Sequence, residues 1–329
     1  MLRNKWYLIC PSKDLTHKIL SQKILGEDLI IYRARNGEAV ALEDRCCHRN
    51  VKLSLGYLND NNVVCGYHGW EFDCNGFCAL IPSQLPGTKI PPKAVIKKYP
   101  IKEFNKWVWV FIGDEEKSKN INPPNIQEMN EWDFTYKTHV FEADLEAAAE
   151  SLIDPYHIKY THKDSIKHLL GQINEFPAEF RINFLEDGIE GNYYRSNTAN
   201  VSEKMYFGKE PELEVYYRFY YPNISRLEAR FKGRTLLILE HFMQVDDKRI
   251  SMMQITLWKN IFGFFPAFGK YFMAKKSNKI VNEDIALLKS QKIILDRTKD
   301  NLHEVSVKGD EISLAFRKYW RKRLKEEDK

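Results

Sequence analysis

The chain has 329 residues, 43% of them hydrophobic, so it can bury a large core and accommodate two domains of ordinary size. Its formal net charge of +5 is small beside 50 basic and 45 acidic side chains, and the basic residues are spread along the chain. This distribution argues against nucleic acid as a partner. No window approaches the roughly 18 uninterrupted apolar residues of a membrane helix, so we expect a cytoplasmic protein without a transmembrane segment.

The six cysteines are too few for a disulfide framework, and a reducing compartment would leave them as thiols or metal ligands. Five of them lie between residues 46 and 78, which indicates one local site in the first third of the chain. These five are Cys46, Cys47, Cys65, Cys74 and Cys78.

Short segments with the composition of β-strands dominate the first 115 residues and alternate with Gly, Asn and Asp turn signals. They are LIIYRA, EAVALE, NVVCGY, WEFD and KWVWVFIG. The pattern predicts a small antiparallel β domain over residues 1–115. Residues 116–130 are polar and contain prolines, which predicts a linker.

Beyond the linker, the segment DLEAAAESLID predicts a helix, and residues 176–259 return to alternating β-type runs. Two further helices are predicted over roughly residues 274–295 and 312–325. Residues 131–329 are therefore predicted to form an α+β domain with a large antiparallel sheet.

Two short Cys/His pairs stand out in the cysteine-rich segment. Cys46 and His48 form a C-x-H pair, and Cys65 and His68 form a C-x-x-H pair. Such a set could hold zinc, but common zinc fingers place both Cys before both His. The alternating order Cys, His, Cys, His instead suits a [2Fe–2S] cluster with two Cys on one iron and two His on the other.

The segment DRCCHRNVKLSLGYLNDNNVVCGYHGWEFDCNGFC resembles the Rieske domain of ring-hydroxylating and related oxygenases. One departure is Cys47, which stands where those domains commonly have Pro, and we assign it no ligand role. Cys74 and Cys78 are interpreted as packed or loop thiols, because the four ligand positions are already filled.

A second candidate site lies in the segment ESLIDPYHIKYTH at residues 150–162. His157 and His162 are five positions apart, so a regular helix would turn them by about 140° and would not aim both at one ion. The chain must therefore turn between them. Pro155 fits this requirement, either at the start of a helix with Asp154 as its N-cap or as a kink in a continuing helix.

This segment also resembles the iron-binding motif D-x-x-H-x₄-H of Rieske oxygenases. The resemblance implies that His157 and His162 bind a mononuclear iron. It further implies that Asp154 bridges an iron-bound histidine to His68 of a neighbouring subunit, as a path for electrons. Ser151 departs from the Asn that many relatives have at this position, which leaves the hydrogen bonding around the iron open.

A facial triad of two His and one carboxylate still needs its carboxylate. In the helix KIVNEDIALLKSQK, Asp284 lies on an apolar stripe, whereas Glu283 is expected to point away. The stripe comprises Val281, Ile285 and Leu288. Because the segment NEDIALLKSQ resembles the carboxylate-donating helix of these oxygenases, Asp284 is the predicted third ligand, with Glu283 and Asp296 as the alternatives.

Two further segments allow two interpretations each. The aromatic run at residues 261–276 would either line an apolar substrate pocket or pack over the sheet. The basic C-terminal segment AFRKYWRKRLKEEDK would either meet an acidic ferredoxin or reductase or form a solvated helix face.

The resemblance runs from NKWY at residues 4–7 to Trp320, and it is strongest to short Rieske oxygenases such as vanillate demethylase, pheophorbide a oxygenase and saxitoxin-pathway hydroxylases. It implies an α+β protein: an N-terminal all-β Rieske [2Fe–2S] domain and a C-terminal catalytic domain with a helix-grip-like antiparallel sheet. It also implies a mononuclear Fe(II), O₂ as co-substrate, a homotrimer and a separate ferredoxin or flavin reductase.

The family reaction would be monooxygenation, as hydroxylation or oxidative demethylation, of a small aromatic, alicyclic or alkaloid-like substrate. Dihydroxylation and desaturation stay open, because the same two centres serve all these reactions. Two alternatives are a non-catalytic Rieske electron-transfer protein and a catalytically dead scaffold. The presence of a full candidate iron site beyond the Rieske segment argues against both.

Overall fold

The computed structural model describes residues 2–166, 179–194, 213–231, 234–259, 261, 266–298 and 303–327. The chain divides into two compact units, Met1–Asn130 and Glu131–Lys329. Within the described ranges, no helix combines the length and the apolar composition needed to cross a membrane. Small β-sheets form the first unit, and a large antiparallel sheet with helices forms the second, which confirms the predicted α+β class.

The first unit contains three small antiparallel sheets with the strand orders β1-β10-β9, β2-β3-β4 and β5-β6-β7-β8. Their strands are β1 (Lys5–Pro11), β2 (Leu20–Ile24), β3 (Glu27–Arg33), β4 (Ala39–Glu43), β5 (Tyr57–Asn59), β6 (Asn62–Val64), β7 (Glu71–Phe72), β8 (Cys78–Leu80), β9 (Ile101–Phe104) and β10 (Trp107–Ile112). Strand β10, WVWVFI, is buried along its whole length, because its aromatic and β-branched side chains pack on both faces. The four-stranded sheet carries the second Cys/His loop between β6 and β7.

The segment predicted as a linker packs against the first unit. It contains the one-turn helices α1 (Glu115–Ser118) and α2 (Glu128–Glu131). Ile126 and Met129 are buried, and the Trp107 Nε1 donates to the Met129 carbonyl at 3.2 Å. The polar composition of this segment did not predict that Ile126 and Met129 would be buried. The domain boundaries at residues 115 and 130 stay a prediction.

Glu27 on β3 bonds side chains from two other parts of the first unit, the N-terminus and residues 97–99, so replacing it tests the stability of this unit. Its Oε2 accepts from Lys97 Nζ at 2.7 Å and from the Tyr99 hydroxyl at 2.6 Å, and Arg3 pairs with its Oε1. Burial raises the pKa of Glu27, but these hydrogen bonds outweigh burial and lower the pKa to about 2.

We expect Glu27→Gln to reduce the free energy of unfolding by about 1–2 kcal/mol at neutral pH. Because the folded-state pKa of Glu27 is depressed, its contribution is fully present above the unfolded pKa, near 4.5, and is lost as the pH falls towards 2. Urea unfolding at pH 7 and pH 3 measures this difference. Glu116→Gln, which breaks an exposed pair with Lys119, should change little at either pH; an equal loss in the two variants would contradict the prediction.

The second unit is a seven-stranded antiparallel sheet with the order β11-β17-β16-β15-β14-β13-β12 and five described helices. The strands are β11 (Asp133–Glu142), β12 (Glu179–Leu185), β13 (Gly188–Tyr194), β14 (Leu213–Tyr220), β15 (Ile224–Phe231), β16 (Arg234–Gln244) and β17 (Arg249–Lys259). The helices are α3 (Leu145–Ser151), α4 (His157–Thr161), α5 (Lys163–Ile166), α6 (Pro266–Thr298) and α7 (Glu311–Glu327). The described residues also include three 3₁₀ turns: Ser12–Asp14, Leu53–Leu55 and Lys308–Asp310.

One side of this sheet faces the helices, and it is called the helix-facing side below. Strand register places Gln254, Glu240, Ser225 and Phe219 side by side across four strands, so their side chains share one side. Ser225 Oγ donates to a carbonyl of α3 at 2.7 Å, and the ring of Phe219 packs at 4.9 Å against a phenylalanine of α7. Helix α6 reaches the same side through its Ser277, which hydrogen-bonds Gln254.

Helix α6 begins eight residues before the predicted start at residue 274, so it takes in residues 266–276 of the aromatic run at 261–276. In this run Phe268 and Tyr271 are exposed, and residues 262–265 lie outside the described residues. Helix α7 begins and ends within two residues of the prediction, and its Arg317 pairs with Glu150 of α3.

Candidate metal centres

Two loops of the same construction carry the four residues predicted to bind the cluster. In each loop the cysteine amide donates to the carbonyl five residues on, at 2.8 Å for Cys46 and 2.9 Å for Cys65. In each loop the cysteine carbonyl accepts from the amide four residues on, Asn50 at 2.9 Å and Gly69 at 3.0 Å. Asn50 and Gly69 have φ values of +58° and +70°, a left-handed conformation that Asn and Gly tolerate best. The two loops therefore have the same backbone hydrogen bonds, although the spacing from Cys to His differs by one residue between C-x-H and C-x-x-H.

The thiols of these loops lie inside and the imidazoles lie further out. Cys46 and Cys65 are each 2% exposed and belong to the hydrophobic core beneath the loops. The rings of His48 and His68 are 4.8 Å apart, with His48 half-buried and His68 exposed. Each loop thus offers one inner sulfur and one outer nitrogen, which is the donor set of a Rieske cluster.

Burial raises the pKa of the Cys46 thiol to about 11, with a smaller upward contribution from the hydrogen bond to Cys65 and a lowering one from the His48 backbone. The two thiols are therefore close enough to interact. A buried pair of this kind becomes a pair of thiolates when cations replace the protons. The donor set and its burial fit a [2Fe–2S] group.

Aromatic rings surround the two imidazoles. The His48 ring stacks on Trp70 at 4.6 Å with an interplanar angle of 6°, and Tyr67 lies 3.8 Å from His68. The Trp70 Nε1 is buried and has no hydrogen-bond partner among the described residues. A buried donor beside the ligand loops suits the sulfur acceptors of a cluster.

The other thiols of the segment have different surroundings. Cys74 Sγ donates to the Asn61 carbonyl at 3.3 Å, and Cys78 Sγ donates to the Leu80 carbonyl at 3.4 Å. Cys47 is half-buried and packs against the core. These contacts are those of packed and loop thiols.

The second site begins at the break between α3 and α4. Helix α3 ends at Ser151, whose hydroxyl donates back to the Ala148 carbonyl at 2.8 Å. Asp154 Oδ1 accepts from the Tyr156 amide at 2.8 Å and so closes a tight turn. Helix α4 begins at His157 with Tyr156 as its N-cap, so Asp154 is not the N-cap and Pro155 lies between two helices. Both alternatives predicted for Pro155 were wrong, because α3 ends at Ser151, α4 begins only at His157, and Pro155 lies in the turn that joins them.

His157, His162 and Asp284 converge, with their ligand atoms all within 4.8 Å of one another. The Nε2 atoms of His162 and His157 lie 3.2 Å and 3.7 Å from Asp284 Oδ1. His162 is 3% exposed and sits where the chain leaves α4. The three residues of the apolar stripe predicted beside Asp284 are all buried: Val281, Ile285 and Leu288.

Hydrogen bonds orient both imidazoles. His157 Nδ1 lies 2.7 Å from the Asp154 backbone carbonyl, to which it donates, and His162 Nδ1 donates to Glu283 Oε2 at 2.9 Å. Each ring therefore directs its Nε2 towards Asp284, so Nε2 is the nitrogen that would bind a metal once its proton is displaced.

Glu283 does not point away from the site, so that expectation was wrong. Its Oε2 takes the His162 hydrogen bond, and its Oε1 accepts from Ser165 Oγ at 2.5 Å. The apolar stripe marks only one face of α6, whereas α5 and His162 at the end of α4 lie along the flank that carries Glu283. Asp296, the other alternative to Asp284, pairs with Lys292 at 2.7 Å.

The electrostatics of this cluster are dominated by burial and by the two carboxylates. Burial lowers the pKa of His157. Burial also lowers the pKa of His162, but hydrogen bonds and charges from Asp284 and Glu283 outweigh it, so the pKa is raised. Burial raises the pKa of Glu283, yet its hydrogen bonds from Ser165 and His162 lower it overall. Carboxylates that hold a proton on an imidazole also attract a cation in its place.

Two imidazole nitrogens and one carboxylate oxygen within 4.8 Å of one another are the donor set of a facial triad for non-haem Fe(II). A Rieske [2Fe-2S] domain matches residues 5–100, and a vanillate O-demethylase oxygenase C-terminal domain matches residues 141–326, more than half of the chain. The chain belongs to the vanillate O-demethylase oxygenase family. The resemblance predicted from the Cys/His and His/Asp motifs is thereby confirmed.

Two relatives are similar to this chain over about half of its length. A putative toluene-4-sulfonate monooxygenase system iron-sulfur subunit from Comamonas testosteroni is 32% identical over 171 residues, covering 50% of this chain and 48% of its own length. A vanillate O-demethylase oxygenase subunit from Pseudomonas sp. is 31% identical over 185 residues, covering 55% and 50%. The chain thus spans about half the length of these curated relatives.

Among solved structures, dicamba monooxygenase bound to dicamba superposes with a TM-score of 0.82 at 17% identity, covering 98% of this chain and 97% of that one. This likeness shows the fold. The cofactors of the family are those predicted, a Rieske [2Fe–2S] cluster and a mononuclear iron that uses O₂. The four Cys/His residues and the His/Asp trio lie within the matched Rieske and C-terminal spans, respectively.

Proposed function

We propose that this chain is the terminal oxygenase component of a Rieske monooxygenase system, which hydroxylates or oxidatively demethylates a small organic substrate with O₂. The observation that carries the proposal is the convergence of two imidazoles and a carboxylate in a chain that also has a Rieske domain. The proposed cluster ligands are Cys46, His48, Cys65 and His68, and the proposed iron ligands are His157, His162 and Asp284. A pure electron carrier would have no use for the second set.

When bound, a mononuclear Fe(II) with three protein ligands would leave open positions for O₂. The iron and the [2Fe–2S] cluster together would supply the electrons that activate O₂. The protein's own part is to hold the ligands. The Asp154 carbonyl fixes the tautomer of His157, and Glu283 fixes that of His162. Ser165 in turn fixes the Glu283 carboxylate, so the imidazole of His162 cannot rotate freely.

Substrate and partners follow from the names of the relatives. One is part of a toluene-4-sulfonate monooxygenase system and another is a vanillate O-demethylase oxygenase subunit, so both act on small aromatic compounds as parts of larger systems. This supports a small aromatic, alicyclic or alkaloid-like substrate and a separate ferredoxin or flavin reductase. We further propose a homotrimer in which Asp154 meets His68 of a neighbouring subunit, in the cytoplasm.

The first test is the iron and acid-labile sulfide content of anaerobically purified protein, with the EPR spectrum of the reduced form. We expect about three irons and two sulfides per chain and a Rieske signal of low average g. Two irons that do not rise to three when Fe(II) is added would favour the electron carrier. Zinc without sulfide would overturn the proposal.

Glu283 is proposed as a positioning residue for His162, and its charge can be removed without changing its shape. Glu283→Gln keeps an oxygen that can accept from His162 Nδ1, but it loses the negative charge behind the imidazole. We expect Fe(II) affinity to fall by about 10-fold, within the range of 10–100-fold typical of such partners. Anaerobic Fe(II) titration measures the affinity, and Co(II) absorption reports the geometry of the site.

The matched control for Glu283→Gln is Asp296→Asn on the same helix, which removes a carboxylate that pairs with Lys292 instead. It should keep the parental Fe(II) affinity. Unchanged affinity in Glu283→Gln, or the same loss in both variants, would show that Glu283 does not act through His162.

A further inference from the structure

The C-terminal segment contacts the chain around the second metal site, and this contact has no part in the mechanism above. Helix α3 ends at Ser151 and α4 begins at His157, and residues 152–156 between them are called the α3–α4 turn below. This turn carries Asp154, proposed to pass electrons, and it leads directly into His157, a proposed iron ligand. Its geometry therefore bears on both electron transfer and iron binding.

Aromatic and apolar side chains fix helix α7 to the large sheet. The rings of Phe316 and Trp320 lie 4.9 Å and 5.3 Å from the ring of Phe219, measured between centroids. Ile312 lies so close to Gly191 of β13 that a Cβ on this glycine would be 2.5 Å from the Ile312 Cδ1. Helix α7 is therefore a fixed support from which its polar side chains can act on neighbouring elements.

From this support, Arg317 makes a two-point contact with Glu150 in the last turn of α3. Arg317 Nε donates to Glu150 Oε2, and Nη2 donates to Oε1 at 3.1 Å. The Glu150 side chain is 15% exposed, and burial raises its pKa, whereas the hydrogen bonds from Arg317 act against burial. Arg317 Nη1 also donates to Glu304, so one cation lies between two carboxylates. A forked contact of this kind fixes the direction of a carboxylate and also offsets its charge.

The backbone of Glu150 continues this contact towards the metal site. Its carbonyl accepts from the amides of Ile153 at 2.8 Å and Asp154 at 3.0 Å. The Asp154 carbonyl in turn accepts from His157 Nδ1 at 2.7 Å. Helix α3 has seven residues and is too short to be stable alone, so contacts from outside decide where its last turn lies. A path of hydrogen bonds through Glu150 and Asp154 thus leads from Arg317 to His157.

A second contact comes from the turn Lys308–Asp310, which precedes α7. Gly309 in this turn lies against the ring of Tyr156, the last residue of the α3–α4 turn. A Cβ on Gly309 would lie 3.2 Å from Tyr156 Cε2, which is closer than an ordinary van der Waals contact. The C-terminal segment therefore meets this stretch of chain twice, at Glu150 before Asp154 and at Tyr156 after it.

We propose that Arg317 is a positioning residue of the oxygenase: it holds Glu150 so that the α3–α4 turn places Asp154 for electron transfer and His157 for iron binding. The inference rests on the proposed oxygenase function and adds a residue outside both metal-binding motifs. Without Arg317, a partly buried carboxylate would lose its cation and lie beside Glu304, so the end of α3 would shift to bring Glu150 into water.

The test compares Arg317→Gln with Arg321→Gln in the full chain, loaded with cluster and iron. Arg321 is one turn further along α7 and pairs with Glu146 of α3, so its replacement breaks a contact between the same two helices. We expect Arg317→Gln to weaken Fe(II) binding by about 10-fold in an anaerobic titration and to slow reoxidation of the reduced cluster by at least about 10-fold. Arg321→Gln should stay within about twofold of the parent in both measurements, because its pair is exposed.

The absorption spectrum of Co(II) bound at the iron site reports the geometry of its ligands. It should change in Arg317→Gln and keep the parental form in Arg321→Gln. An equal loss of Fe(II) affinity in the two variants would show that both pairs only dock α7 on α3, which would overturn the proposal. Parental affinity and reoxidation in Arg317→Gln would also overturn it.

A neutral pair distinguishes positioning from a general loss of folding. The double variant Arg317→Gln, Glu150→Gln leaves no unpaired charge at this contact, and its two amides can hydrogen-bond each other. We expect its Fe(II) affinity to return to within about threefold of the parent, also if Arg317→Gln by itself does not fold. A double variant without this recovery would overturn the proposal.

Iron and sulfide analysis of the parent separates this proposal from the proposed function. About three irons per chain in the parent, with no difference between the parent and Arg317→Gln, would overturn only the role of Arg317. Fewer than three irons in the parent after addition of Fe(II) would overturn the oxygenase function itself, whatever the variants show.

Discussion

Asp284→Asn should remove the mononuclear iron and leave the [2Fe–2S] cluster in place. The Asp284 carboxylate is the common neighbour of both imidazoles, 3.2 Å from His162 Nε2 and 3.7 Å from His157 Nε2. Asn has the same shape but carries no charge, so it is a poor ligand for a hard cation. We expect iron to fall from about three to about two per chain with sulfide unchanged, and turnover to fall by at least about 100-fold.

The control for Asp284→Asn is again Asp296→Asn, three turns further along α6, where the carboxylate pairs with Lys292. It should retain full iron and turnover. Retention of about three irons in Asp284→Asn would mean that another group is the third ligand, and Glu283 would then be examined first because it is adjacent and already contacts His162.

Asp154→Asn should have the opposite signature, with both metals retained and turnover sharply reduced. The contact that orients His157 comes from the Asp154 backbone, and Asn can also accept the hydrogen bond from the Tyr156 amide. The substitution therefore keeps the turn and removes only the carboxylate charge, whose Oδ2 lies 3.9 Å from His157 Nδ1. If this carboxylate links the two centres between subunits, electron delivery slows while the metal sites stay intact.

The measurement for Asp154→Asn is the rate at which the reduced cluster is reoxidised when O₂ and substrate are mixed in, followed by stopped-flow absorbance. We expect a decrease of at least about 10-fold with about three irons per chain. Loss of metal would show a structural role, and unimpaired turnover would remove Asp154 from the electron path. Asp164→Asn, an exposed carboxylate on α5, should change neither quantity.

The elements that the sequence predicted well are those encoded by local pattern. The β-type runs before residue 115 became the small sheets, and the aromatic and β-branched run at residues 107–112 became the most deeply buried of their strands. The apolar stripe of KIVNEDIALLKSQK predicted a helix with Asp284 on its buried face, because the helical period alone sets which residues share a face.

Errors arose where contacts join residues far apart in the chain. Glu283 was expected to point away, yet α4 and α5 lie along the flank of α6 and bring His162 and Ser165 to its carboxylate. The error at Pro155 was local: this residue was assigned to a helix start or a kink, but the Asp154 side chain closes a separate turn with the Tyr156 amide.

The sequence by itself determined the chemistry of this protein: the residue types, order and spacing of the Cys/His and His/Asp sets are local, and they restrict the possible metals. The tertiary structure alone decided which carboxylates surround those histidines. Asp284 and Glu283 reach the histidines only because the long helix α6 packs against strand β11 and against α5. That packing depends on side chains more than a hundred residues apart, so no local period or spacing encodes it.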